Sequence, residues 1–157
     1  MIMTLMKPVR PSTSQAIPAM LEQTALGTGF ALTLADRIAI ERLLCNGATL
    51  NAPDPLLLTA LLRHKLRISR AAREPAAPDL VVAGRVVTYE IEGDGIRSGT
   101  LSTSRMPFPN HVLVASLLGA TLIGMRALQT GPLLRSDGSV ASVTILDIAA
   151  PPVEDAA

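Results

Sequence analysis

The sequence predicts an α+β protein in which one short helix covers a mostly antiparallel sheet, preceded by an antiparallel helical hairpin. The first observation is Ser116–Met125, an apolar stretch in which Ser116 resembles a helix N-cap and Gly124 lies near the end. A helix this short and apolar cannot stand alone in water, so it needs a sheet to cover. The second observation is a set of β-like segments on both sides of it, at 80–92, 96–104, 111–115 and 139–148. The third is a pair of helical patterns upstream of them.

Composition limits both the core and the kinds of function. The 157 residues suffice for one compact domain with an appendage, or for two very small domains. Hydrophobic residues make up 48% of the chain but aromatic residues only 2%, so Leu, Ile, Val and Ala must build the core. This argues against an aromatic-lined pocket or base-stacking platforms. A net charge of +1 gives no overall attraction to nucleic acid or to a membrane.

The first helix is predicted to begin at Thr33. Thr33 and Asp36 have the spacing of a capping box, in which both side chains can satisfy free backbone N–H groups. Asn46-Gly47 ends the helix, because glycine readily adopts the left-handed conformation beyond a last turn. Its predicted apolar stripe consists of Leu34, Ile38, Leu44 and Cys45, widened by Ile40 and Leu43.

The second helix is predicted from Pro55 to about Arg73. Asp54 is a favourable N-cap, and proline at the first helical position loses no hydrogen bond that the helix needs. The short connection makes the two helices antiparallel neighbours, about 20 and 28 Å long. Its apolar stripe consists of Leu57, Leu58, Leu61, Leu62, Leu66 and Ile68.

Domain boundaries follow from prolines and from changes in pattern. We expect a flexible arm at 1–31, the helical hairpin at 32–74, a small α+β domain at 79–149 and a tail at 150–157. The linker at 74–78 contains Pro75 and Pro78 and is therefore stiff. On this division, residues 79–149 should fold without the hairpin.

Within the small domain, the turn Gly93-Asp94-Gly95 joins two strands into a β-hairpin. A loop is expected at Gly131-Pro132. The turn Asp137-Gly138 then leads into the final strand, predicted at 140–148.

Basic residues concentrate at the end of the second predicted helix. Arg63, Lys65, Arg67, Arg70 and Arg73 lie within eleven positions, with no acidic residue between Pro55 and Arg73. They can form a solvated helix face, with cations favoured near the helix C-terminus. They can equally form a contact for phosphate or for an acidic protein surface. Both interpretations stay open at this point.

The small domain resembles the C-terminal domain of the Gre transcript-cleavage factors and of the regulator of nucleoside diphosphate kinase, which bind bacterial RNA polymerase. The resemblance rests on Asp79-Leu80-Val81, Gly84, Val86-Val87-Thr88-Tyr89, Thr100-Leu101, Ser116 to Gly124 and Asp137-Gly138. It implies an FKBP-like domain carrying a hairpin, closest to the regulator of nucleoside diphosphate kinase because the hairpin is short. Function then follows by analogy of fold. The implied protein is a non-enzymatic regulator that docks near the polymerase secondary channel.

The resemblance also implies site residues. Carried over to this chain, the strand-to-helix turn that grips the polymerase corresponds to Ser116, Leu117 and Leu118. The family often has proline after that serine, where this chain has Leu117. The hairpin tip of the Gre factors carries paired acids that help the polymerase hold a second metal ion. Here the tip offers Thr49, Asn51 and Asp54. Because the Asp54 carboxylate is expected to accept from backbone N–H groups as an N-cap, we expect no stimulation of transcript cleavage.

Two alternatives come from other function classes. The basic helix at 55–73 could bind nucleic acid directly, whereas for a polymerase-bound regulator any such contact would be indirect. An FKBP-like fold also suggests a peptidyl-prolyl isomerase, but only Tyr89 and Phe108 could supply its aromatic cradle. Cys45 and the two histidines lack partners at metal-ligand spacing. We therefore expect no cofactor, no metal and no membrane partner. The lone cysteine and the lack of a membrane-length apolar run or signal peptide predict a soluble cytoplasmic protein, and we expect a monomer.

Overall fold

The structure is a computed structural model that describes residues 29–150. The predicted tail and nearly all of the predicted arm lie outside these residues. The three helices are α1 (Leu34–Cys45), α2 (Pro55–Ile68) and α3 (Leu117–Leu122), with a 3₁₀ turn at Ala48–Asn51. The strands are β1 (Ala31–Leu32), β2 (Arg70–Ala71), β3 (Val86–Ile91), β4 (Gly95–Ser102), β5 (His111–Leu113), β6 (Thr130–Leu134) and β7 (Val140–Ala149). The predicted α+β class is confirmed.

Five strands form the main sheet in the order β5-β4-β3-β7-β6. The β3–β4 hairpin is present as predicted, and β7 pairs antiparallel with both β3 and β6. Only β4 and β5 pair in parallel, so the sheet is mixed rather than wholly antiparallel. The loop predicted at Gly131-Pro132 is wrong, because these residues belong to β6. Pro132 is tolerated there because β6 is an edge strand, where a missing N–H breaks no interior ladder.

A second, two-stranded sheet joins the beginning of α1 to the end of α2. β1 and β2 pair in parallel, with Arg70 N donating to Phe30 O and Ala72 N to Leu32 O. The prediction that α2 extends to about Arg73 is therefore wrong, because the chain turns extended at Ser69 to make this pairing. The predicted arm also runs too far at its end, since Phe30 and Ala31 are buried.

The two long helices lie antiparallel. Near one end, the Arg37 guanidinium of α1 donates to Leu66 O at 2.8 Å and to Ser69 O at 3.2 Å. Near the other end, the hydroxyls of Thr49 and Thr59 are 2.9 Å apart. With 12 and 14 residues the helices are about 18 and 21 Å long at ~1.5 Å per residue.

The buried face of α1 differs from the predicted stripe. Leu34, Ile38 and Cys45 are exposed, whereas Asp36, Ile40 and Leu43 are buried. The Thr33 hydroxyl caps the helix by accepting from Asp36 N, as predicted. The Asp36 carboxylate instead accepts from Ala83 N at 3.2 Å, in the segment before β3. Burial raises the pKa of the Asp36 carboxyl, although this hydrogen bond and the nearby Arg85 oppose the shift. The inward face of α1 therefore carries a polar contact to Ala83 beside the buried Ile40 and Leu43.

One hydrophobic core spans the hairpin and the small domain. The hairpin lies along the domain, with α2 packed beside α3, and does not project from it. This continuity argues against the expectation that residues 79–149 fold alone. The division of the chain into two domains at 74–78 therefore stays a prediction. Core residues of the hairpin side are Leu32, Ile40, Leu43, Leu58, Leu61 and Leu62, and those of the domain side include Val81, Val87, Leu101, Leu122, Ile123 and Ile145.

Lys65 ties α2 to α3 from inside this core. It is only 3% exposed, and its ammonium donates to Thr121 O at 2.9 Å. The same nitrogen lies 3.5 Å from the centroid of the Phe30 ring, a cation–π contact. Burial lowers the pKa of Lys65 to about 7, because desolvation disfavours the charged form.

Gly119 allows α3 to seat against the end of β5. A Cβ at this position would lie 1.8 Å from Leu113 O and 2.9 Å from Val114 Cα, which are backbone atoms that cannot swing away. The absence of a side chain is therefore a packing requirement at Gly119.

Replacing Gly119 with alanine tests this requirement. Helix propensity alone predicts stabilisation by about 1 kcal/mol. The backbone clash predicts the opposite sign, a loss of about 1–3 kcal/mol as for other overpacked cores, measured by thermal or urea unfolding. Gly93→Ala is the control, since its Cβ has open space and only its φ of 86° opposes the substitution. A Gly119→Ala protein as stable as the parent would contradict the close contact.

The buried Lys65 predicts a pH dependence of stability. The folded pKa of about 7 is below the ordinary value near 10.5, so the unfolded chain binds more protons between these pH values. Stability should therefore rise from about pH 7 toward pH 10, by at most about 1.4 kcal/mol per pH unit for one proton. Lys65→Met should remove this rise, whereas Arg63→Met, an exposed neighbour, should keep it. Equal pH slopes for the parent and for Lys65→Met would contradict the assignment.

Candidate functional site

A cleft of about 470 Å³ opens between the hairpin tip and the beginning of α3. Asn51, Ala52 and Asp54 line the tip side, and Leu113, Ser116 and Leu117 line the opposite side. Arg105 and Pro107, from the segment before β5, form a third wall. We call this the tip cleft. It brings together two groups of predicted site residues that are more than 60 positions apart in the sequence.

The wall at α3 is fixed by Ser116. Its backbone is extended, and its Oγ accepts from Gly119 N at 3.0 Å while donating to Leu113 O at 2.6 Å. The predicted N-cap role is therefore observed. Leu117 and Leu118 are both half-buried and pack against the core, and of the two only Leu117 lines the tip cleft. Leu117 is thus only partly accessible at the beginning of α3.

The wall at the tip is a tight turn. Gly47 has a φ of 74° and the 3₁₀ turn follows it. Thr49 points inward, since it is 3% exposed and its hydroxyl is hydrogen-bonded to Thr59. It was predicted to be an accessible tip residue, and it is not. Asp54 caps α2, its Oδ1 accepting from Leu57 N at 3.2 Å, which agrees with the N-cap prediction. Asn51 remains exposed at the tip.

Exposed apolar side chains belong to the segments around the tip cleft. Leu50 is 71% exposed and Leu56 is 85% exposed, on either side of the tip residues that line the cleft. Met106 and Phe108 are also exposed, next to Arg105 and Pro107. We call these four residues the apolar rim. The sequence did not predict the rim, because the spacing of apolar residues cannot distinguish an exposed leucine at a turn from a buried one.

Two charged residues line the tip cleft. Its charged residues, Arg105 and Asp54, have opposite signs and do not form an ion pair with each other. Among residues 29–150, no group of three or more His, Cys, Asp or Glu residues could hold a metal ion. No described helix is long and apolar enough to cross a membrane.

The aromatic residues of the small domain are Tyr89 in the core and Phe108 on the apolar rim. Tyr89 is buried in β3, and burial raises the pKa of its hydroxyl. Phe108 is half exposed and contacts His111 edge to face, with ring centroids 5.7 Å apart. The residues that line the tip cleft include no aromatic ring. The arrangement does not favour the alternative of a proline-binding cradle.

The predicted basic patch is divided by the fold. Lys65 is buried in the core and does not belong to an exposed basic surface. Arg63 and Arg67 are exposed on α2, where an Arg67 guanidinium nitrogen lies 2.9 Å from His64 Nδ1. Arg70 and Arg73 lie beyond the helix, on and after β2. A continuous cationic helix face at 55–73 is therefore absent, which weakens the alternative of a nucleic-acid module built on this helix.

Comparison with known proteins gives likenesses of structure. No protein-family model and no curated protein matches the sequence. Among solved structures, the prokaryotic transcription elongation factor GreA/GreB from Nitrosomonas europaea matches with a TM-score of 0.53 and 18% identity. The match covers 76% of this chain and 98% of that one.

Two Thermus proteins also match, at lower structural agreement. GreA factor homolog 1 (Gfh1) of Thermus thermophilus has 17% identity over 77% of this chain and 99% of that one, with a TM-score of 0.37. Gfh1 of Thermus aquaticus has 18% identity over 87% and 94%, with a TM-score of 0.38. From the Nitrosomonas match we conclude that this chain has the fold of a GreA/GreB-type elongation factor.

Proposed function

We propose that the protein is a regulator of transcription elongation that binds RNA polymerase. The observation that carries this proposal is the tip cleft. The fold likeness to a GreA/GreB factor directs attention to the beginning of α3 and to the hairpin tip. In this chain these two segments meet and form one surface.

The apolar rim supports docking on a protein. Leu50, Leu56, Met106 and Phe108 expose large apolar side chains next in sequence to residues that line a concave, mostly apolar cleft. Such side chains around a pocket are typical of protein–protein contacts, because their burial on binding is favourable. Docking would thus use the rim and the cleft together, with Ser116 acting as a structural cap below the surface.

The hairpin supports a role closer to the regulator of nucleoside diphosphate kinase than to the cleavage factors. Its helices are about 18 and 21 Å long and lie against the small domain rather than projecting from it. A tip held in this way has little reach into a deep channel. We propose that the protein occupies the rim of the secondary channel and modulates elongation from there, without catalysis of its own.

The rim predicts the effect of two surface substitutions. Leu50→Asp and Leu56→Asp should each weaken binding to core RNA polymerase about tenfold or more, as for an anchor residue worth ~1–2 kcal/mol. Stability should change little because both side chains are exposed. Binding can be measured by interferometry on immobilised polymerase, with unfolding followed in parallel.

Leu34→Asp is the matched control. Leu34 is a leucine 64% exposed at the opposite end of α1, so its substitution should leave polymerase binding unchanged. Leu117→Asp is a poor probe, because Leu117 packs against the core and its loss would also destabilise the fold. Equal binding by the Leu50→Asp and Leu34→Asp proteins would remove the rim from the interface.

The tip predicts that the protein does not stimulate transcript cleavage. Mg²⁺ takes oxygen ligands, usually one or two carboxylates from a protein. The tip offers only Asp54, whose Oδ1 is bonded to Leu57 N. In stalled elongation complexes, excess protein should release no short 3′ RNA fragments, and it should slow cleavage when a Gre factor is also present. Fragment release that is abolished by Asp54→Asn would contradict this proposal.

A further inference from the structure

A second cleft, of about 260 Å³, lies at the opposite end of α3 from the tip cleft. Three arginines line it. Arg70 and Arg73 follow α2, and Arg126 follows α3, more than 50 positions further along the chain. We call it the arginine cleft. We propose that the arginine cleft binds the phosphate group of a small phosphorylated ligand of the nucleotide class. This inference is independent of the tip cleft and of polymerase binding.

The charge of the arginine cleft is largely uncompensated. Within residues 29–150, the side chains of Arg70 and Arg73 make no hydrogen bond or ion pair. Arg126 lies 3.6 Å from Asp79, but both side chains are about half exposed, at 44% and 55%. An exposed pair of this kind stabilises a protein little, so Arg126 can exchange Asp79 for a ligand at small cost.

Guanidinium groups favour phosphate in particular. Each is planar, always charged and presents five N–H donors in a fork that fits two phosphate oxygens at once. No carboxylate is among the residues that line the cleft. Glu74 and Asp79, the acidic residues closest in sequence, lie outside the lining. The cleft therefore selects against cations and for anions with several oxygens.

The backbone that carries the arginines is fixed before any ligand binds. The Arg37 guanidinium donates to Ser69 O, directly before Arg70. Arg85 donates to Ala76 O, Ala77 O and Leu80 O, which secures the opposite wall. Two further arginines thus hold the walls while three remain available, and a preformed site loses less entropy on binding.

The segment that carries Arg126 is also held in place. Ala31 N donates to Gly124 O, and Val81 N donates to Met125 O at 2.8 Å. Arg126 itself forms a β-bridge with Leu80, and its N–H donates to the side chain of Gln129. The three arginines are therefore presented by two backbone segments, 70–73 and the residues after Gly124, and both are hydrogen-bonded to the segment at 30–32.

The rest of the lining is apolar and includes the Phe30 ring. Ala71, Ala72 and Ala77 offer methyl groups between the arginines, with Leu80 beneath them. An apolar floor beside cationic groups suits a ligand that has a flat or hydrocarbon body attached to its phosphate. A volume of about 260 Å³ holds the phosphate end and part of the body of such a ligand, with the remainder in solvent. These features favour a nucleotide over a free inorganic anion.

Titration calorimetry on the full-length protein tests the proposal with two probes, inorganic pyrophosphate and ADP. Both should bind one to one, ADP more tightly, and added salt should weaken both. Arg70→Gln and Arg126→Gln should each weaken binding about tenfold or more, since a hydrogen bond to a charged group contributes ~1.5–3 kcal/mol. Arg63→Gln, an exposed arginine of the same basic run outside the cleft, should leave both affinities unchanged.

Three outcomes would overturn the proposal. The first is no saturable binding of either probe at low salt. The second is equal weakening by Arg63→Gln and Arg70→Gln, which would indicate general charge attraction. The third is binding of a single-stranded oligonucleotide that is lost with Arg70→Gln while neither small probe binds, which would assign the cleft to a nucleic-acid backbone. Thermal unfolding of each variant confirms that the exposed substitutions leave the fold intact. Arg73→Gln replaces any variant that fails this check.

Discussion

The burial of α3 from Gly119 onward is the constraint on which the rest of the structure depends. All seven residues from Gly119 to Met125 are buried, and the helix within this run is too short to be stable without its neighbours. β5 and β6 contact it from the sheet, and α2 covers it from the hairpin. Because the chain has almost no large aromatic residues, this covering must come from many aliphatic side chains. The hairpin supplies a share of them that the small domain lacks, so the two parts meet in one core.

Both clefts follow from this packing. Lys65 near the end of α2 contacts Thr121 near the end of α3, and Asp54 before α2 lines the same cleft as Ser116 before α3. The two helices therefore run in the same direction. The beginning of α2, with the tip before it, is thereby placed beside Ser116 and forms the tip cleft. The end of α2 continues into β2, which places Arg70 and Arg73 beside Arg126 and forms the arginine cleft. One helix contact therefore positions an apolar surface at one end and a cationic surface at the other.

Local signals predicted much of the fold, and long-range contacts account for what they did not predict. The caps at Thr33, Asp54 and Ser116 were predicted correctly because each involves a bond to a backbone N–H three residues away. The face of α1 was predicted only in part: Ile40 and Leu43 are buried as expected, but Asp36 is also buried, and its partner Ala83 is 47 residues further along the chain.

The site was predicted in the same uneven way. Ser116, Leu117, Asn51 and Asp54 were named from the sequence, but that they share a cleft depends on the position of α2 over α3. The helical pattern of the sequence predicts an exposed Lys65, because lysine is usually at the surface. Its burial depends on contacts with Thr121 and Phe30, which are distant in sequence. The parallel pairing of β1 with β2 divides the basic run, and residues this far apart in sequence give no local signal of such pairing.

Native-state hydrogen exchange tests most directly whether hairpin and small domain form one unit. The amides of Leu62 in α2, Leu122 in α3 and Ile145 in β7 are the informative positions, since all three residues are fully buried. A shared core predicts that the three amides exchange with the same free energy of opening and with the same dependence on denaturant concentration, equal to those of global unfolding. Exchange of Leu62 through a smaller opening, with Leu122 and Ile145 still protected to the global limit, would contradict the shared core and restore the picture of two independent parts.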